Sequence, residues 1–253
     1  MNRRQLALGI STLALVSGLP GLSLAADAAL AAAVANASRT PANRVRDAAR
    51  HPIESLTFWG LKPGMTVVEI DPGAAGYWTE ILAPYAQATG GHYVPSDLHL
   101  SLTSPALAPA ATADLVLTAR NIHNMMWVPG LLEKALKDFH DVLKPGGILA
   151  IEEHRADPTP QNDTPTRPAS TGYVAVANVV AAAQKAGFKL DGQSEINANP
   201  KDTKDHPFGV WTLPPSRQSS PGKGQPSPEG FDRAKYDAIG ESDRMTLRFR
   251  KVG

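Results

Sequence analysis

Six residues in an eight-residue window carry the groups most suited to holding a small ligand: Glu69, Asp71, Gly73, Ala74, Ala75 and Gly76. The apolar run Val67-Val68-Glu69-Ile70 has the character of a buried strand, and it leads straight into this turn of small residues. A helical segment is predicted to follow, from Tyr77 to Tyr85. A strand, a glycine turn and a helix start together form a nucleotide-type cradle. Backbone N–H groups point outward there, and no bulky side chain blocks an approaching ligand. Glu69, near the strand end, can accept hydrogen bonds from ribose hydroxyls or a ligand ammonium.

The rest of the chain reads as the frame for that turn. Strands are predicted at His92 to Pro95, ending near Asp97, and at Asp114 to Thr118, Ile148 to Glu152 and Phe188 to Ile196. Met245 to Lys251 alternates apolar and polar residues, as a strand with one buried face does. Helices are predicted between them. Leu131 to Leu143 places Leu132, Ala135, Phe139 and Leu143 on one stripe, and Val174 to Ala186 is closed by Gly187. Pro52 can open a short helix through Trp59. Ser101 to Ala113 fits no single element, whereas residues 156–170 and Pro214 to Phe231 read as loops. Strands alternating with helices imply an α/β fold with a mostly parallel sheet covered on both faces. Ligands then bind at the carboxyl ends of the strands, which are Glu69 to Gly76, Ser96-Asp97, Arg120 to Asn124 and Glu152 to Arg155.

Bulk properties narrow the partners. Arg3-Arg4, the apolar stretch Leu6 to Val16 and Ser23-Leu24-Ala25 together predict a signal peptide over residues 1–25. The paired arginines followed by Gln5-Leu6-Ala7-Leu8 also resemble a twin-arginine export signal. Residues 26–50 are expected to be a helical lead-in, and residues 51–253 one domain. Loss of Arg3 and Arg4 leaves 23 basic against 24 acidic residues, which gives no reason to expect nucleic acid or an anionic membrane as partner. No stable membrane insertion of the mature chain is expected. The chain has no cysteine, so disulfides and thiolate chemistry are excluded, and a periplasmic or secreted location is the reading.

Three segments resemble class I S-adenosylmethionine-dependent methyltransferases: Val67 to Gly73, Ala113 to Leu117, and Leu143-Lys144-Pro145-Gly146-Gly147-Ile148-Leu149. Ala186-Gly187-Phe188 adds to the match. His51 to Trp59, Asn199 to Pro207 and Gly240 to Met245 are similar to an exported branch of that family. The resemblance implies a Rossmann-like sheet of seven strands, the last antiparallel, with helices on both faces. It implies S-adenosylmethionine as cofactor, with Asp71, Gly73, Ala74, Ala75 and Gly76 facing its methionine and ribose portions. Asp97 would hold the ribose hydroxyls, and Arg120-Asn121-Ile122-His123 would lie beside the sulfonium and the substrate mouth. The turn departs from the family pattern, since Asp71 stands at the first glycine and Ala75 near the third. Gly76 can supply the missing backbone freedom one position later.

Methyl transfer is an in-line displacement that needs alignment and a place for a proton. With Arg120 beside it, His123 is the candidate base; the alternative is a histidine hydrogen-bonded in a loop. His154 and Arg155 either border the same cleft or form a salt-bridged surface pair. Glu152 and Glu153 are strand neighbours that face opposite ways and cannot form a dyad. In the charged run Lys201 to His206, Asp205-His206 is the pair of interest. The four tryptophans, Trp59, Trp78, Trp127 and Trp211, read as core or rim packing, and Asn124 to Trp127 either shapes an apolar pocket or caps the sheet. There is no Gly-x-Ser-x-Gly, His-Glu-x-x-His or Walker pattern, and the seven histidines show no metal-ligand spacing. The expected function is methyl transfer to a small or envelope-linked acceptor. The alternative is a non-catalytic ligand-binding module on a degenerate methyltransferase fold.

Overall fold

The computed structural model describes residues 28–96, 101–157 and 169–252. The expected leader, Asp97 and most of the loop at 156–170 lie outside the described residues. Four helices come first: α1 (Ala28–Val34), α2 (Pro41–Arg44), α3 (Asp47–Arg50) and α4 (Pro52–Phe58). Then follow β1 (Thr66–Ile70), α5 (Thr79–Thr89), β2 (His92–Ser96) and β3 (Ala113–Ala119). Next are α6 (Ile122–Met126), α7 (Leu131–Val142), β4 (Leu143–His154) and α8 (Val176–Lys185). The chain closes with β5 (Phe188–Ser194), β6 (Pro207–Val210), α9 (Arg233–Ile239) and β7 (Arg244–Lys251).

Six of these strands form one sheet, in the order β2-β1-β3-β4-β7-β5. β2, β1, β3 and β4 are mutually parallel, and β7 runs antiparallel to both β4 and β5. The antiparallel last strand is as expected, but the sheet has six strands among the described residues, not seven. β2 and β3 are joined by a connection that includes residues 101–112. The chain from Ser101 to Thr112 forms turns there, with Ala111 at φ 54°. Pro105 and Pro109 lack the N–H that a ladder needs, so this segment adds no strand. Strand order reverses direction between β1 and β3, which opens a crevice at their carboxyl ends.

Alternation along the strands divides the core into two layers. Val67, Leu115, Leu117, Ile148 and Ala150 pack with Leu30 of α1, Leu56 and Trp59 around α4, and Ile81 and Leu82 of α5. Val68, Ile70, Val116, Leu149 and Ile151 pack on the other face with Phe139 of α7 and Val179 of α8. The stripe on α7 is rotated from the expected one. Leu131, Ala135, Leu136, Phe139 and Val142 are buried, Leu132 is only partly covered, and Leu143 already belongs to β4. α5 starts at Thr79 and not at Tyr77, because the turn runs on through Trp78. Gly90, at φ 71°, ends it in the left-handed conformation that glycine tolerates best.

Candidate active site

A cavity of about 240 Å³ opens at the carboxyl ends of β1 and β3. Its wall includes Glu69, Asp71, Gly73 and Ala75 from the first turn, and Arg120, Asn121 and His123 from the third strand end. The structure thus brings seven of the sequence-predicted site residues together. Ala74 and Gly76 are in the same turn but not on the wall.

The turn is held from both sides. Asn43 of α2 donates through Nδ2 to the Ala75 carbonyl at 2.7 Å, and the Gly76 N–H donates to the Gly73 carbonyl at 3.1 Å. Gly73 and Gly76 have φ of 70° and 54°, so the freedom absent at Ala75 is supplied on either side of it. The N–H groups of Gly73, Ala74 and Ala75 make no hydrogen bond among the described residues, as an anion or ligand cradle requires. Asp71 itself sits at φ 44°. Glu69 is buried, and its Oε2 accepts from Thr79 Oγ1 at 3.0 Å and from the Tyr93 hydroxyl at 2.6 Å. Burial raises its pKa to about 7, against the opposing pull of those two hydrogen bonds.

The third strand end is strained and charged. Arg120 has φ 62°, in the left-handed region uncommon for any residue but glycine, and its N–H donates to the Glu152 carbonyl at 2.7 Å. Asn121 uses Nδ2 on the Ile70 carbonyl at 2.9 Å, which ties the ends of β1 and β3 together. His123 sits in α6, not in a loop, and its Nδ1 donates to Glu153 Oε1 at 2.9 Å. The His123 N–H donates to the other oxygen of the same carboxylate at 3.1 Å. This fixes the ring tautomer and leaves Nε2 as the basic nitrogen, without a hydrogen bond among the described residues. Trp127 and Trp211 stand edge-on to the imidazole at 5.7 and 5.9 Å between ring centres.

Several cavity residues carried no usable sequence signal. Glu241 accepts from Arg46 Nε at 2.7 Å, Arg50 Nε at 3.0 Å and Arg244 Nη1 at 2.8 Å. Burial pushes its pKa up, but Arg50, Arg244, Arg46 and Arg120 more than offset that and hold it near 2. Glu152 Oε1 lies 2.5 Å from Arg244 Nε, off hydrogen-bonding alignment. Arg50 stacks over the Tyr77 ring at 4.4 Å. Partners separated by some 190 residues cannot be paired from spacing alone. Glu153, opposite Glu152 as expected, is revealed as the partner of His123.

His154 borders the cavity, with Nδ1 2.5 Å from Ser242 Oγ. Burial, then the charges of His123, Arg120, Arg244 and Arg50, hold its pKa well below that of an ordinary histidine. Arg155 forms the salt-bridged arm, to Asp243 at 2.8 Å and Glu195 at 2.6 Å. Ligand atoms of His123, Glu153 and His154 lie within 4.8 Å of one another, a convergence that their sequence spacing hides. Glu153 already accepts from both histidines, and the nearby guanidinium groups oppose a cation. The expected Asp205-His206 pair is replaced. His206 Nε2 meets Asp202 at 2.8 Å, and the Tyr173 hydroxyl donates to that same carboxylate. Asp205 turns to Thr203 on the exposed side. Trp59 and Trp78 are core residues, whereas Trp127 is 48% exposed and Trp211 lines the cavity.

No helix among the described residues is long and apolar enough to cross a membrane. No family model matches the chain, and no curated protein matches it. Solved structures do. A SAM-dependent methyltransferase from Aquifex aeolicus is 20% identical over 63% of this chain and 89% of its own, with a TM-score of 0.45. The [4+2]-cyclase SpnF is 15% identical over 83% of this chain and 81% of its own, also at 0.45. An S-adenosylmethionine-dependent methyltransferase from Mesorhizobium loti is 15% identical over 79% and 97%, at 0.41. At such identities and TM-scores the likeness is a resemblance of shape, shared by chains named for different chemistries.

Proposed function

We propose that this cavity transfers a methyl group from S-adenosylmethionine to a small acceptor carrying a removable proton. The observation that carries the reading is the His123–Glu153 pair, which stands at the same crevice as a glycine turn with three unused amides. The sequence resemblance at Val67 to Gly73 and Leu143 to Leu149 supports it independently. The residues fit the cofactor: small side chains at Gly73 and Ala75 leave room, their amides suit its polar portion, and Glu69 can accept from it. S-adenosylmethionine supplies an electrophilic methyl group on a cationic sulfur. Within the cavity, His123 Nε2 takes the acceptor proton, and the Glu153 carboxylate stabilises the imidazolium that forms. The indoles of Trp127 and Trp211 shield the imidazole from water. We further read residues 1–25 as an export leader, so that the enzyme would act outside the cytoplasm on a small or envelope-linked acceptor.

One observation favours the second reading, a binding module without catalysis. Arg46, Arg50, Arg120 and Arg244 crowd around Glu152 and Glu241 beside the cavity, and the Arg120 charge on the wall disfavours a sulfonium close to it. Calorimetric titration with S-adenosylhomocysteine, the neutral product, separates the two. We expect saturable binding, and methyl release on acceptor screening that falls 10²–10⁴-fold in His123→Gln. Absence of heat at millimolar ligand would refute the enzyme reading, and equal rates would remove His123 from the chemistry.

A further inference from the structure

Arg120 stands apart from the cations around it. Arg46, Arg50 and Arg244 each have a carboxylate partner in Glu241. Arg120 has no ion pair and no side-chain hydrogen bond, although it lines the cavity and its Nε is sealed from solvent. Burial lowers its pKa from the ordinary arginine value, and Glu152 and Glu241 recover only part of that loss. A guanidinium cannot shed its charge at neutral pH, so a desolvated and unpaired one is a standing cost. Its backbone is strained as well, at φ 62°. Both costs are the kind that a protein retains where a ligand repays them.

The planar guanidinium fork matches the two oxygens of a carboxylate. Val210, Trp211, Pro214 and Pro215 contribute apolar surface to the same cavity. The basic nitrogen of the His123–Glu153 pair implies that the reacting atom bears a proton, which a carboxylate at neutral pH does not. The acid group is therefore a handle and not the nucleophile.

We infer that the acceptor is a small carboxylic acid with an apolar body, its carboxylate seated on Arg120 and its apolar part against Trp211 and the Pro214-Pro215 wall. The inference rests on the methyl-transfer reading only for the word acceptor; the carboxylate site stands on the geometry. An acid bound there also offsets the Arg120 charge, so it favours a cationic co-ligand in the same cavity and is favoured by it.

The test is calorimetric titration of the full chain with sodium benzoate, with inorganic phosphate, and separately with S-adenosylhomocysteine. Benzoate is expected to saturate, phosphate to bind at least tenfold more weakly, and Arg120→Met to weaken benzoate at least tenfold. Arg120→Gln serves if Arg120→Met does not fold. Arg248→Gln, whose arginine pairs with Asp191 away from the cavity, is expected to bind benzoate as wild type does. Unchanged benzoate affinity in the Arg120 variants overturns the inference, and so does phosphate binding as tightly as benzoate. Binding of S-adenosylhomocysteine without benzoate sinks the carboxylate site and spares the methyl-transfer reading. Arg120-dependent benzoate binding without S-adenosylhomocysteine does the reverse.

Discussion

Replacing Glu241 by glutamine removes the one carboxylate shared by Arg46, Arg50 and Arg244 while keeping the side-chain volume. The size of the effect follows from the carboxylate's own titration. Its pKa falls from 4.5 in a free chain to about 2 in the fold, because the arginines outweigh burial. That displacement corresponds to stabilisation on the order of 3 kcal/mol at neutral pH. A depressed folded pKa stabilises above the unfolded value, and the contribution is lost as pH falls from about 4.5 toward 2. Glu241→Gln also leaves Arg50, which is fully buried, without its counter-charge. Breaking a buried pair costs about 3–5 kcal/mol, so the two routes agree. Urea unfolding at pH 7 and at pH 3, followed by tryptophan fluorescence, measures both quantities. The variant should lose about 3 kcal/mol at pH 7, with a smaller difference from wild type at pH 3. A loss below 1 kcal/mol at pH 7, or a difference that does not shrink in acid, would show that the arginines are not held by Glu241.

Glu69 titrates in the opposite sense. Its folded pKa of about 7 lies above 4.5, so its neutral form is favoured in the fold, and stability declines as pH rises from about 4.5 through 7. Glu69→Gln, which can still accept from Thr79 and Tyr93, should match wild type at pH 4 and melt higher at pH 8; identical melting curves at pH 8 would contradict the burial argument. At Gly73 a Cβ would meet no atom within 4 Å, so Gly73→Ala tests the backbone alone at φ 70°. Its expected cost is about 1 kcal/mol, a drop of about 2–4 °C in melting temperature, and an unchanged midpoint would mean that the turn relaxes freely.

The parts of the fold that local chemistry writes were legible in the sequence. Val67 to Ile70 is apolar enough to be buried, Gly73 marks the turn after it, and the alternation from Met245 onward marks β7. The site was legible to the same depth. Asp71, Gly73, Arg120 and His123 converge because strand ends meet at a reversal of strand order. What composition could not disclose is which charges meet across the chain. Arg46 and Arg50 belong to the stretch expected to be a helical lead-in, yet they turn inward to Glu241. Asp202 and Asp205 are equivalent on paper, and only burial beside Tyr173 makes Asp202 the partner of His206. The seven-strand expectation came from the resemblance, whereas the prolines between β2 and β3 speak against a further strand. On α7 the helical period was correct, but the angle at which the helix meets the sheet moved the buried face by one residue, from Leu132 to Leu131.

The position of β7 bears on how the molecule is made. The final strand in sequence fills an interior slot, between β4 and β5, so both keep raw edges until residues 244–251 have emerged from the ribosome. Glu241 just ahead of this strand and Arg244 at its start clasp α3 through Arg46, Arg50 and Ala49. Until those residues emerge, synthesis therefore holds an incomplete sheet with unclosed borders, exposed to mispairing with other chains. Residues 241–251 seal the sheet and fasten α3 to it in a single event.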